Sequence, residues 1–301
     1  MTALTVCTFS GASSLPLLVA EEHGLFAAAG LDVRLVQTRS SEELMTGLVD
    51  GRFEVVHAAP DNFIAWRDRT GLPIVAWIGG ASGPLALMAR PGIGSVADLR
   101  GRTIAVDAKT SGFVSVLRKI LREAGLTAED VRLEPLGATN LRADALREGR
   151  VDATMLTLPW SAVATRDGMV ALADGRAAAP RLQGGSGGSL APWLVGHPDH
   201  ADAYLRALVA AITWLQLPAQ RDAARELVVR RYGLDAEVAE EVRAAFADPR
   251  GGWLPSALLD PEGMAAVCEL RAENGTPAKE PSDAYLTLEP YRRVLGFGLL
   301  E

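Results

Sequence analysis

The stretch LVDGRFEVVHAAPD (48–61) returns in outline as LREGRVDATMLTLPW (146–160). In both, a helical pattern ends at an acid-Gly-Arg turn. An acidic residue follows, Glu54 in one copy and Asp152 in the other, and then an apolar strand that closes near a proline. Glycine suits the left-handed backbone that ends such a helix. A helix–Gly–strand unit used twice predicts two related α/β halves, and it sets His57 at the carboxyl end of a strand with Asp61 and Asn62 opening the next helix.

Working outward, LTVCTF (4–9), LDVRLVQ (31–37), FEVVHAA (53–59) and LPIVAWIGG (72–80) read as strands, with helical patterns between them. That rhythm predicts a mainly parallel sheet covered by helices. GPLALMARPG (83–92) ends in Pro-Gly punctuation, and the rhythm restarts with TIAVDA, an amphipathic helix over FVSVLRKILREAGL, VRLEPLG and VDATMLTLP. RLQGGSGG (181–188) reads as a hinge or cleft loop, and SLAPWLVG (189–196) as a strand returning to the first half. The remainder is mostly helical. The expected division is 1–88 with 190–301 as lobe I and 89–189 as lobe II.

The 301 residues exceed what one core normally serves. A hydrophobic share of 49% and a charged share of 22% fit a globular chain. The net charge of −7, without a basic patch, argues against nucleic acid. Cys7 and Cys268 belong to no metal-ligating spacing, so no metal is expected, and they are read as free thiols, with a disulfide between them as the alternative. No apolar run is long enough to insert in a membrane. MTALTVCTFSG carries no leader pattern, which predicts a cytoplasmic protein, or a periplasmic one whose leader has been removed. P-loop, GxSxG, HExxH and EF-hand patterns are absent, and no cofactor is expected.

Three segments carry a family resemblance: LPLLVAEEHGLFAAAGLDVRLV, GIGSVADLRGRTIAVDA and LREGRVDATMLTLP. Over about residues 3–240 the chain resembles the type II periplasmic-binding-protein fold, in particular its NMT1/THI5-like, alkanesulfonate- and taurine-binding branch. The resemblance implies two α/β lobes joined by two crossovers, with a ligand held in the interlobe cleft. It implies a small organic anion as ligand and an ABC permease as partner if the protein is exported. The same fold hosts cytoplasmic enzymes, so a cofactor-independent lyase or decarboxylase using His57 as acid or base is the alternative. A desulfinase of this fold has a catalytic histidine and arginine whose spacing resembles His57 and Arg67. Its catalytic cysteine, however, falls where this chain has Gly11, Ala12 and Ser13.

Ligands of open α/β sheets bind beyond the carboxyl ends of the strands. That rule selects Ser10, Gly11, Ser13 and Ser14 after the first strand, and His57, Asp61 and Asn62 after the third. It also selects Gly80 and Ser82 in GGASGP, and Thr110, Ser111 and Gly112, with Lys109 near, in DAKTSGF. Trp160 is an expected aromatic wall, and Gln183 and Ser186 are expected to close over the ligand. Each has a plainer reading: N-capping for Asp61 and Ser111, turns for the glycines, packing for Trp160.

Overall fold

The computed structural model describes residues 1–81, 83–108, 111–248 and 251–296. Among the described residues ten strands follow in chain order: β1 Thr2–Phe9, β2 Leu31–Thr38, β3 Val55–Ala58, β4 Ile74–Gly79, β5 Leu85–Ala89, β6 Thr103–Val106, β7 Arg132–Pro135, β8 Ala153–Thr157, β9 Val170–Asp174 and β10 Ser186–Leu190. They form two five-stranded sheets, ordered β2-β1-β3-β10-β4 and β7-β6-β8-β5-β9. β1 pairs in parallel with β2 and β3, and β6 with β7 and β8. The strand next to the far edge runs antiparallel in each sheet: β10 against β3 and β4, β5 against β8 and β9. Helices cover both sheets, giving the two-lobe fold of type II periplasmic binding proteins.

The sequence echo is a structural repeat. Gly51 and Gly149 both take the left-handed conformation, at φ 72° and 71°. Glu54 accepts the amide of Thr5 at 2.7 Å, and Asp152 accepts the amide of Thr103 at 2.9 Å. In return, the amides of Glu54 and Asp152 donate to the carbonyls of Thr5 and Thr103. The acidic residue of the motif therefore locks the start of β3 to β1 and the start of β8 to β6.

The expected boundaries fall a few residues late. β5 pairs with β8 and β9, so residues 85–88 belong with lobe II, and β10 pairs with β3 and β4, so 186–189 belong with lobe I. The segment expected as a strand over 189–196 is the end of β10 followed by a helix at Ala191–Gly196. Pro192 near the start of that segment suits a first helical turn better than a strand interior. β9 escaped the sequence reading because VALAD is short and only half-buried.

The chain crosses between lobes twice, and the two crossings touch. The amide of Gly185 donates to the carbonyl of Ala81 at 2.9 Å. A Cβ at Gly80 would lie 2.3 Å from the Gly185 carbonyl oxygen, which explains the glycine there. The lobe I core gathers the C-terminal helices as well, through Tyr204, Leu208, Val242 and Met264. The helix Pro261–Glu273 spans the lobes: Met264 and Val267 pack in the lobe I core, and Leu270 in that of lobe II.

Gly80→Ala is expected to destabilise the fold by about 1–3 kcal/mol, the usual cost of overpacking. Gly11→Ala, where no atom lies within 4 Å of the added carbon, is expected to stay within about 0.5 kcal/mol of wild type. Urea unfolding of both variants checks this, and equal midpoints would contradict it.

Candidate functional site

The carboxyl ends of the strands in both lobes face one cleft, with a cavity volume of about 180 Å³. Lobe I supplies Thr8 to Gly11, Ser13, Ser41, His57 to Asn62, Gly80 and Ala81. Lobe II supplies Asp107, Ser111 to Phe113, Thr139, Arg142, Thr157, Leu158 and Arg176. The second crossing adds Gln183 to Ser186, and the C-terminal helical region adds Phe246, Trp253, Val267 and Leu270. Most of the wall is apolar, which suits a ligand with an organic body.

Among the described residues, several buried polar atoms of wall residues have no partner: the hydroxyls of Ser111 and Ser186, the indole nitrogen of Trp253, and Oδ2 of Asp61. These residues are 5%, 1%, 2% and 3% exposed. Buried polar groups are almost always satisfied, so four orphans around one cavity stand out. Ser111 precedes the helix Gly112–Glu123 but makes no capping bond with its side chain, so its hydroxyl is spare. Gly112 allows close approach, since a Cβ there would lie 2.9 Å from the Asp61 Cβ across the cleft.

Asp61 is not the N-cap. The helix Pro60–Thr70 is preceded by Ala59, and Asp61 turns its Oδ1 to Nη1 of Arg271, 2.8 Å away. Burial pushes its carboxyl pKa up, and the Arg271 charge opposes that shift. Arg142 is also buried, donating to Gly137, Thr154, Met155 and Thr139. Desolvation pulls its pKa down to about 10, which leaves it cationic near neutral pH.

His57 is half-buried in the cleft wall, with Nε2 2.9 Å from the hydroxyl of Tyr204. Tyr204 is fully buried, stacks on Phe26, and has its pKa raised well above 10 by desolvation. Its proton needs an acceptor, and among the described residues only His57 offers one. We therefore assign Tyr204 as donor to Nε2, which leaves the proton of the neutral ring on Nδ1. Desolvation lowers the His57 pKa to about 4, a poor match for a general acid or base at neutral pH.

Hydrogen bonds tie the lobes together at the mouth, among them the amide of Ala12 to the Leu158 carbonyl at 3.4 Å. Ser41, at the start of the helix Ser41–Val49, donates its hydroxyl to Asp107 of lobe II. The amide of Ala138 donates to the Arg39 carbonyl at 2.9 Å, and the Trp160 indole reaches the Ser10 carbonyl at 3.5 Å.

Of the residues expected from sequence, Ser10, Gly11, Ser13, His57, Asp61, Asn62, Gly80, Ser111, Gly112, Gln183 and Ser186 line the cleft. Ser82, Lys109 and Thr110 lie outside the described residues. Ser14 does not line the cleft, because its hydroxyl turns inward to the Phe9 carbonyl and Thr8. Trp160 does not line it: its ring packs against the lobe II core with Ala143 and Met169, and only its Nε1 reaches the Ser10 carbonyl at the mouth. Gln183 works mainly as a tie, accepting the Asp260 amide and donating to the Gly185 carbonyl. Arg67 is engaged by Glu280 through two hydrogen bonds and is not in the wall, so the spacing that resembles the desulfinase does not bring it into the cleft beside His57. Cys7 is buried within β1, its pKa raised to about 12 by burial. Sequence reasoning missed Arg142, Arg176, Phe246, Trp253 and Tyr204. The glycine pair before Trp253 was the only local signal, and it is a weak one.

Comparison with known proteins follows the same lines. The NMT1/THI5 like family matches residues 12–188, more than half of the sequence. The chain belongs to the NMT1/THI5-like family. A solved structure from Bordetella bronchiseptica RB50 is 25% identical, covers 98% of this chain and 97% of its own, and has a TM-score of 0.84. The alkanesulfonate-binding protein SsuA of Xanthomonas axonopodis pv. citri, bound to MOPS, is 20% identical. It covers 95% of this chain and 98% of its own at a TM-score of 0.80, a likeness of fold. The bicarbonate transport ATP-binding protein CmpC of Synechocystis sp. is 26% identical over 245 residues. That match covers 74% of this chain, which spans only 36% of CmpC. Within the family fold, the cleft described above is the ligand position that the strand ends define.

The folded His57 titrates near 4 and an unperturbed one near 6.5. Between those values the unfolded chain binds the extra proton, so stability present above pH 6.5 is lost as the pH falls toward 4. His57→Gln should flatten this part of the profile. Urea midpoints taken at steps through that range test it, and an equally steep fall in the variant would exclude His57 as the source.

Proposed function

We propose that the protein is a solute-binding component of an ABC-type import system and holds a small organic acid between its lobes. The observation that carries this is the convergence of the unpartnered Ser111, Ser186 and Trp253 donors on one apolar cleft. Ser111 comes from lobe II, Ser186 from the returning crossover and Trp253 from the C-terminal region, so a ligand oxygen set touching all three would draw both lobes together. Each donor left bare in a closed cleft costs about 1–3 kcal/mol, and a ligand that accepts from it removes that cost.

The charges support an acid. Arg142 is a buried cation that, among the described residues, has no carboxylate in direct contact, although the charge of Asp107 acts on it, and Arg176 is a second arginine of the wall. Phe9, Phe113, Phe246 and Trp253 favour an apolar body over a bare inorganic ion. The names of the relatives support an anion: SsuA is an alkanesulfonate-binding protein and CmpC a bicarbonate transport ATP-binding protein. Such a protein would work outside the cytoplasmic membrane, beside a permease. Among its described residues no helix is long and apolar enough to cross a membrane. The lyase alternative draws no support from His57, whose ring is held neutral and engaged by Tyr204.

The test is native mass spectrometry and titration calorimetry with a panel of aliphatic and aromatic sulfonates and carboxylates, with nitrate and bicarbonate as inorganic controls. At least one organic acid is expected to bind and to be released with unchanged mass. Ser111→Ala and Ser186→Ala are each expected to weaken it about tenfold, the scale of one hydrogen bond to a charged group. Consumption of the acid, or binding of the inorganic ions alone, would contradict the reading.

A further inference from the structure

One polar atom of the cleft wall is both open and unused. His57 lies near the end of β3, and its register partners on either side are Thr8 of β1 and Gly187 of β10. A Cβ at Gly187 would lie 3.1 Å from the His57 Cε1, so the glycine leaves the ring its room beside β10. The ring borders the cleft, and its Nε2 meets the Tyr204 hydroxyl at 2.9 Å. Among the described residues its Nδ1 makes no hydrogen bond. Unlike the sealed hydroxyls of Ser111 and Ser186, that nitrogen keeps exposed surface.

What Nδ1 offers is decided on the far side of the ring. Tyr204 belongs to the helix Pro198–Gln216 and is fully buried. It stacks on Phe26, with ring centroids 5.4 Å apart, and Trp77 flanks it at 6.0 Å. Close packing of these rings holds the hydroxyl in one place. Among the described residues its proton finds no acceptor except Nε2. A buried hydroxyl proton left bare is costly, so Nε2 keeps its lone pair and accepts. An imidazole whose Nε2 accepts carries its one ring proton on Nδ1. The reversed bond would orphan the tyrosine proton and turn a lone pair to the cleft.

Resting on the solute-binding reading, we propose that His57 Nδ1–H donates to an oxygen of the bound acid, and that Tyr204, sealed from the cleft, is the positioning residue that makes this nitrogen a donor. The oxygens of an ionised acid can only accept, so a fixed donor matches them. A ligand that turns an N–H or O–H to the same point sets donor against donor, which is selection by penalty. The arrangement adds a ring N–H, aimed from lobe I, to the hydroxyls of Ser111 and Ser186.

The test begins without ligand. Long-range proton–nitrogen correlation spectra of histidine-labelled protein, with His57→Gln giving the assignment, read which ring nitrogen carries the proton. The wild type at neutral pH is expected to carry it on Nδ1. A proton on Nε2, or on both nitrogens, overturns the proposal whatever the ligand. In Tyr204→Phe the proton should divide between the two nitrogens, a change that lost packing alone does not produce. A variant ring that stays wholly protonated on Nδ1 overturns the role of Tyr204. Butanesulfonate, benzenesulfonate, hexanoate and benzoate are then titrated by calorimetry. With an acid that binds, the Nδ1 resonance should shift in step with saturation. The double variant His57→Leu with Tyr204→Phe removes both partners of the buried bond together, and it should bind that acid about tenfold more weakly. Unchanged affinity in the double variant, or an Nδ1 resonance indifferent to a bound acid, overturns the ligand contact while the solute-binding reading stands. If none of the four acids binds, the solute-binding reading falls and takes the ligand contact with it.

Discussion

Each sheet is completed by a strand that enters directly from the opposite lobe. β5 arrives from lobe I and inserts between β8 and β9, and β10 returns from lobe II and inserts between β3 and β4. These are the antiparallel strands of their sheets, and their entry forces the two crossings to run side by side. The close packing of Gly80 on Gly185 follows from that constraint, as does the cleft. With the remaining strands of both lobes directed at the gap, their carboxyl ends deliver His57, Asp61, Ser111 and Arg142 to one space.

The energetics of that space are those of a site awaiting polar partners. Bonds that cross its mouth include those of Ser41 to Asp107, Ala138 to Arg39 and Ala12 to Leu158, with the exposed ion pair of Arg166 and Asp235 beside them. Each such bond contributes about 1 kcal/mol net. Inside, the hydroxyls of Ser111 and Ser186, the Trp253 indole and Asp61 Oδ2 lie bare among apolar side chains. Ligand selection then depends on matching those few groups, and the apolar wall supplies affinity that is indifferent to detail. The His57–Tyr204 pair fits the same pattern, because burial keeps the ring neutral and turns it from a base into a fixed dipole.

The fold was legible because its signals are local. The acid-Gly-Arg turns at Gly51 and Gly149 mark equivalent positions in two lobes, and the periodicity of β1 to β4 needs no distant partner to be read. The lobe boundaries slipped because short strands such as LALMA and SGGSL look alike whichever sheet receives them. The cleft was legible only where it is built from strand ends, as at Ser10, His57 and Ser111. Asp61 and Arg271 stand far apart in sequence, and nothing near either one announces their ion pair. Trp253 and Phe246 belong to a C-terminal region whose helical pattern says nothing about which face meets the cleft. Trp160 misled because an aromatic residue after a strand can turn either way, and here it packs beside Met169.

The most direct test of this account is a crystal structure of the protein grown with the best-binding organic acid of the panel. The account predicts the unaltered acid between the lobes, with oxygens within about 3.2 Å of the Ser111 and Ser186 hydroxyls. An acid held by one lobe alone, or a chemically altered molecule in the cleft, would contradict it.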